Sequence, residues 1–154
     1  MKNCFYFFLV CQMFINAGFT PETLVLMGNN IFNKIKYISS MDHVACFNSY
    51  YEKISFQISL SYSYESPIGV CLVFGTTRLV CDPQQLFRLY KNGQWIRACD
   101  IEKNCLLIDV NLKPVMVTNA WLINMPLVFY KFNVPAIGYH NFFVTDLCIN
   151  TGNY

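Results

Sequence analysis

The residues most able to do chemistry in this 154-residue chain are its two histidines and eight cysteines. A thiol becomes a nucleophile when an imidazole or another cation lowers its pKa and a further group orients that base. His43-Val44-Ala45-Cys46 is the nearest approach of the two residue types, and His140 stands directly before Asn141. Neither falls in a triad signature, and no GxSxG, Walker loop, HExxH or GxGxxG occurs in the chain. No CxxC pair exists, so zinc lacks its usual ligand spacing. The carboxylates Asp42, Glu52, Glu65, Asp82, Asp109 and Asp146 form no close pair in sequence. From the residues alone the expectation is a protein that is not an enzyme and holds no metal or cofactor.

The chemistry that remains is recognition and cross-linking. Asn92-Gly93 lies between two strand-like runs in LFRLYKNGQWIRAC, and that dipeptide favours a two-residue type I′ turn. Counting outward from such a turn sets Tyr90 opposite Trp95, Leu89 opposite Ile96 and Arg88 opposite Arg97. Phe87, Leu89, Ile96 and Ala98 then share the core face, and Arg88, Tyr90, Trp95 and Arg97 share the other. Arginines directly opposite repel by about 0.2–1 kcal/mol. Tyr, Trp and Arg dominate interface hot spots, so this face is the candidate binding patch. The bland alternative is that the guanidinium groups stack on the two rings and meet Asp100, Glu102 or Asp109 within the chain.

Cys46, Cys71, Cys81, Cys99, Cys105 and Cys148 are six thiols outside the N-terminal segment, an even number that an oxidising compartment would pair. The N-terminus suggests such a compartment. Lys2 is a positive n-region, Cys4 to Phe14 an apolar h-region broken by Gln12, and Ala17 or Gly18 a small residue for cleavage. A signal peptide over 1–17 and a single domain over 18–154 follow, lumenal or secreted, or membrane-anchored where the segment stays uncleaved. No Asn-x-Ser/Thr sequon is present. Val115 to Phe132 is a poor second span, because it carries Asn119, Asn124, Pro126 and Lys131.

These residues need a β framework. Aromatics are 17% of the chain and charged residues 13%, with a net charge of +2. That balance favours packed sheets and leaves no basic field for nucleic acid. KISFQISLSYSY, Lys53 to Tyr64, alternates apolar and polar residues throughout and reads as one long strand, with a homodimer through its edge as a possible use. Ile68 to Phe74, Thr77 to Cys81, Cys105 to Leu112 (with Leu106, Ile108, Val110 and Leu112 inward), Val115 to Ile123, Leu127 to Phe132 and Tyr139 to Ile149 read as further strands. Residues 18–52 are less regular; Thr20-Pro21-Glu22 suggests a short helix, then a strand.

Two local patterns resemble a known family. Leu89-Tyr90-Lys91-Asn92-Gly93 resembles the W-Y-K-N-G of immunoglobulin strand C, with Leu in place of Trp. VCLVFGTTRLVCDP resembles the start of the immunoglobulin-like domain of the coronavirus accessory proteins called seven-a and eight. The resemblance spans Pro67 to Cys148. It implies a disulfide-bonded immunoglobulin-like β-sandwich over 67–154 with an extension over 18–66, and an inter-sheet Cys81–Cys148 bridge. Asp146, two residues before Cys148, would then face the core. The implied function is a secreted or endoplasmic-reticulum viral accessory protein that binds host proteins and modulates immunity. The alternative is an anchored structural or assembly protein of a virion.

Overall fold

The computed structural model describes residues 17–134 and 141–152. They form β1 (Leu24–Leu26), β2 (Phe32–Lys34), β3 (His43–Phe47), β4 (Lys53–Gln57), β5 (Leu60–Ser66), β6 (Gly69–Phe74), β7 (Thr77–Cys81) and β8 (Leu86–Arg88). Then follow β9 (Trp95–Arg97), β10 (Leu106–Ile108), β11 (Pro114–Met116), β12 (Asn119–Ile123), β13 (Leu127–Asn133), β14 (Asn141–Val144) and β15 (Ile149–Gly152). The only helical turns among the described residues are 3-10, at Ile35–Tyr37 and Ala98–Asp100. The chain is all-β, and the helix expected near Thr20 does not form. Thr20-Thr23 is a turn closed by Thr23 N–H on Thr20 C=O at 3.0 Å, and β1 follows directly.

A six-stranded sheet runs in the order β2-β1-β14-β15-β8-β9, and a three-stranded sheet in the order β12-β6-β7. β13 pairs with β5, β3 with β4 and β10 with β11. Phe19 stitches two of these together. It bridges Cys81 at the end of β7 and Tyr130 in β13, exchanging backbone bonds of 3.0 and 2.8 Å with Tyr130. Segment 18–66 is therefore woven into the sheets of the later chain, since β1 also pairs with β14.

Aromatic packing closes the interior. Phe19 meets Phe87 and Phe142 edge-on at 6.2 and 6.0 Å, and Phe132 lies 4.4 Å from Phe142; all four rings are buried. Such edge and tilted contacts suit the ring quadrupoles. A second cluster gathers Leu26, Ala45, Phe47 and Phe143, with Cys148 packed against it.

Several sequence expectations change here. Lys53 to Tyr64 is not one strand, because the chain turns at Ile58-Ser59 and β4 pairs with β3 while β5 pairs with β13. Ile58 is 2% exposed, so it is core rather than an edge for another copy. In β10 Ile108 is buried as expected and Leu107 is fully buried beside it, while Leu106 and Leu112 are exposed. The strand stops where Asp109 Oδ1 accepts the N–H groups of Asn111 and Lys113 at 2.8 and 2.7 Å, and Leu112 takes φ +60°.

The Asn92-Gly93 turn is real but longer than expected. Only Gly93 has positive φ, so the type I′ geometry, which needs two such residues, is not adopted. Leu89 and Gln94 close the loop instead, and Tyr90 N–H goes to Leu106 C=O at 2.9 Å. The register becomes Arg88 opposite Trp95 and Leu86 opposite Arg97. The two arginines no longer face each other.

All six cysteines of the described residues are free. The Cys81–Cys148 bridge is absent because the two residues belong to different clusters, Cys81 to the main core and Cys148 to the turn beside Phe143. That turn carries Thr145 and Cys148 at φ +64° and +50°, and it directs Asp146 outward. Its carboxylate accepts a bond from Thr77 Oγ1 at 3.2 Å instead of facing the core.

Candidate functional site

The two ends of the described fold arrive at one loop, Asp82-Pro83-Gln84-Gln85. The upstream end enters between β7 and β13, and Asp82 N–H donates to Gly18 C=O at 2.9 Å. The downstream end is β15, where Gln85 Nε2 donates to Gly152 C=O and to Thr151 Oγ1, both at 2.7 Å. Thr151 Oγ1 in turn donates to Leu86 C=O at 2.6 Å. Residues 82 to 85 thus hold residues 18 and 152 together.

The loop's own shape follows from its first residue. Asp82 Oδ1 accepts Gln84 N–H at 2.8 Å, and Gln85 N–H returns to Asp82 C=O at 3.0 Å, an Asx-type turn that Pro83 suits. Asp82 is 3% exposed, and its second oxygen accepts Tyr64 Oη–H at 2.9 Å. Burial pushes its carboxyl above the usual range, against the pull of the Gln84 N–H, the Tyr64 hydroxyl and the charge of Lys131. Lys131 is 7% exposed, and burial lowers its ammonium pKa. Tyr64 is held far above its ordinary value by burial and by Asp82.

A buried amide network braces β15. Asn141 spans Phe47, accepting its N–H at 2.8 Å and donating to its C=O at 2.9 Å. Asn150 Nδ2 donates to Asn141 Oδ1 at 3.0 Å, and Asn150 Oδ1 finds no partner among the described residues.

Chemically, the Gly18 and Gly152 carbonyls each receive an aimed N–H donor, an arrangement that fixes the backbone at both ends. A nucleophile is the missing part at the upstream end. Ala17, Gly18 and Phe19 offer none, and a Cβ on Gly18 would lie 2.8 Å from Tyr130 C=O and 3.2 Å from both Phe129 Cβ and Tyr64 Oη. Thr151 supplies a hydroxyl at the downstream end, with no imidazole in contact with it among the described residues.

The sequence candidates lie elsewhere. His43 is exposed while Cys46 is fully buried, its thiol pushed up to about 11 by burial, so they form no nucleophilic pair. His140 lies outside the described residues, as do residues 1–16 of the expected signal peptide; Ala17 is buried. Arg88 and Trp95 do come together, with the guanidinium 5.2 Å from the indole and 4.5 Å from the Tyr51 ring, and Nη2 donating to Tyr51 Oη at 2.8 Å. Arg97 is bound to Asp100 at 2.7 Å, and Tyr90 is exposed beside β10. Sequence reasoning missed Gln85 and Thr151, and named Gly18 only as a small residue for cleavage. Of the loop, only the end of the Thr77 to Cys81 run before Asp82 is marked in the sequence.

No protein-family model matches the sequence, and no curated protein does. Solved structures do match. The bacterial intein-like domain from Clostridium thermocellum superposes with a TM-score of 0.81 at 20% identity, over 88% of this chain and 98% of that one. The TvoVMA intein gives 0.75 at 15% identity, over 90% and 98%. A DnaB intein from Synechocystis gives 0.72 at 12% identity, over 90% and 99%. These likenesses overturn the resemblance to coronavirus accessory proteins and the immunoglobulin-like sandwich. The secreted immune-modulator reading and its virion-structural alternative fall with them, and nothing supports secretion or immune evasion. The fold of this chain is similar to that of the inteins.

Proposed function

We propose that this chain is an intein-fold module that clasps its own two ends at the Asp82–Gln85 loop and does not splice them. The observation that carries this reading is Gly18. Breaking a peptide bond by acyl transfer needs a nucleophilic side chain at the bond. At residue 18 there is neither a nucleophile nor space for one, since Tyr130 C=O, Phe129 and Tyr64 Oη surround the Cβ position. The donors aimed at the Gly18 and Gly152 carbonyls serve to hold the strands.

The test is a full-length chain carrying different soluble domains fused before residue 1 and after residue 154, followed by intact mass over days. A single unprocessed species is expected. A product in which the two flanking domains are joined overturns the reading.

A second reading rests on Thr151, whose buried hydroxyl is bonded to Gln85 one residue after Asn150. Attack of Oγ1 on the Asn150 carbonyl carbon would break the Asn150–Thr151 amide, leave an ester, and free the Thr151 amine with the hydroxyl proton. Water would then hydrolyse the ester. The same mass measurement, repeated with hydroxylamine, reads this as a cut after Asn150 that Thr151→Val abolishes; no cut rules it out.

A further inference from the structure

Asn92 is the one asparagine of the chain that a glycine follows. Glycine has no Cβ to shield its backbone nitrogen, so that nitrogen can reach the side-chain carbonyl carbon of the residue before it. The fold prepares the carboxamide for such an attack. Asn92 is exposed, its Oδ1 accepts the Gln94 N–H at 3.1 Å, and its Nδ2 donates to Gln94 Oε1 at 2.9 Å. A donor on the oxygen polarises Cγ, as oxyanion donors do in acyl transfer. The attacking nitrogen, by contrast, is restrained. Gly93 N–H donates to Leu89 C=O at 2.9 Å, and Gly93 C=O accepts Arg88 Nε–H at 3.1 Å. Arg88 is itself fixed, its guanidinium lying over the Tyr51 and Trp95 rings and bonded to Tyr51 Oη.

We propose that the Asn92-Gly93 turn modifies itself, Asn92 becoming aspartate and isoaspartate, and that Arg88 governs the rate by holding Gly93. Gly93 N gives up its proton to solvent hydroxide and bonds to Asn92 Cγ. The Cγ–Nδ2 bond breaks, Nδ2 takes a proton from water and leaves as ammonia, and a cyclic imide remains. Water then opens the imide at Cγ to give aspartate, or at the Asn92 main-chain carbonyl to give isoaspartate. The net change is an amide and a water for a carboxylic acid and an ammonia, with no oxidant or reductant. Either product adds a carboxylate beside Lys91. Isoaspartate also routes the main chain through its side chain and adds a methylene to the turn, which shifts the pairing of Arg88 with Trp95 that the turn sets.

Peptide mapping of the full chain after incubation at mildly alkaline pH tests this, with isoaspartate-specific methyl transfer as a second readout. The native chain should convert at Asn92, several-fold more slowly than in urea. Arg88→Met should convert about three- to tenfold faster than the wild type while both are folded, the range that one lost hydrogen bond gives. In urea the two should match, because the clamp is gone from both. Tyr51→Phe removes only the hydroxyl that anchors Arg88 Nη2; it should accelerate conversion by less, and it serves where Arg88→Met does not fold. Arg97→Met breaks only the exposed pair with Asp100 on the same hairpin and should convert at the wild-type rate. A native chain that stays unconverted while the unfolded chain reacts overturns the proposal. So do folded Arg88→Met and Tyr51→Phe chains that keep the wild-type rate, or equal acceleration in Arg97→Met.

Discussion

Tyr64 Oη lies 3.2 Å from the point that a Cβ on Gly18 would occupy, and the same hydroxyl donates to Asp82 at 2.9 Å. The upstream end of the fold is thereby packed shut around a residue without a side chain. Gly18→Ala should destabilise the protein by about 1–3 kcal/mol, an overpacking cost, measured by urea unfolding. The harder wall is Tyr130 C=O at 2.8 Å, which is backbone and cannot swing away. Gly18→Ala should therefore remain costly in a Tyr64→Phe background. If the alanine became neutral there, the tyrosine rather than the backbone would be what excludes it.

Gln85 gives a second expectation. It is fully buried, and its Nε2 serves Thr151 Oγ1, Gly152 C=O and, at 3.3 Å, Leu86 C=O. Gln85→Leu keeps most of the volume but strands buried acceptors, a change of about 1–3 kcal/mol. Hydrogen exchange should locate the effect, with faster exchange along β15 and little change in β3 and β4. Uniform acceleration across all strands would mean that the loop does not hold the downstream end locally.

How much of this was legible beforehand depends on the range of the interaction. β7 is where the Thr77 to Cys81 run places it, and β6 nearly so, because alternation and punctuation are local. The Lys53 to Tyr64 alternation is local too, yet Ile58 and Ser59 divide it, since β3 and β13 are separate partners that no periodicity names. The Asn92-Gly93 register slipped because Leu106 C=O takes the Tyr90 N–H, a bond formed across the fold. The site was least legible. Gly18 meets Asp82, and Gln85 meets Thr151 66 residues away, contacts beyond any local pattern, and a buried glutamine looks the same in sequence as a solvated one.

Asp82 gives a prediction in pH. Its folded pKa lies above the ordinary 3.8, with burial the largest cause. A carboxyl raised on folding binds its proton more tightly in the native state. Its contribution is therefore fully present below the unfolded pKa and is lost as pH rises through the folded value. Asp82→Asn removes that dependence. The stability deficit of the variant should be larger at about pH 4 than at about pH 7, as read by chemical unfolding at each pH. A deficit that grows toward neutral pH would mean that the ionised carboxylate is the favoured native form and that Lys131 outweighs burial.

The free thiols allow a last test, one that also bears on the absence of disulfides. Reactivity follows thiolate fraction and access. Cys46, Cys71 and Cys81 are buried, and burial raises all three, Cys46 to about 11. Cys99 is exposed, although partial burial of its sulfur and the nearby Asp100 also raise it. Access therefore decides the order. Iodoacetamide on the native chain without reductant should label Cys99 first, while Cys46, Cys71 and Cys81 react only after denaturation. Peptide mapping then distinguishes two states: buried thiols that label once unfolded without reductant were free, and thiols that need reductant were bridged. The second outcome at Cys81 and Cys148 would require their two clusters to rearrange, because nothing in the present packing brings those side chains into one core.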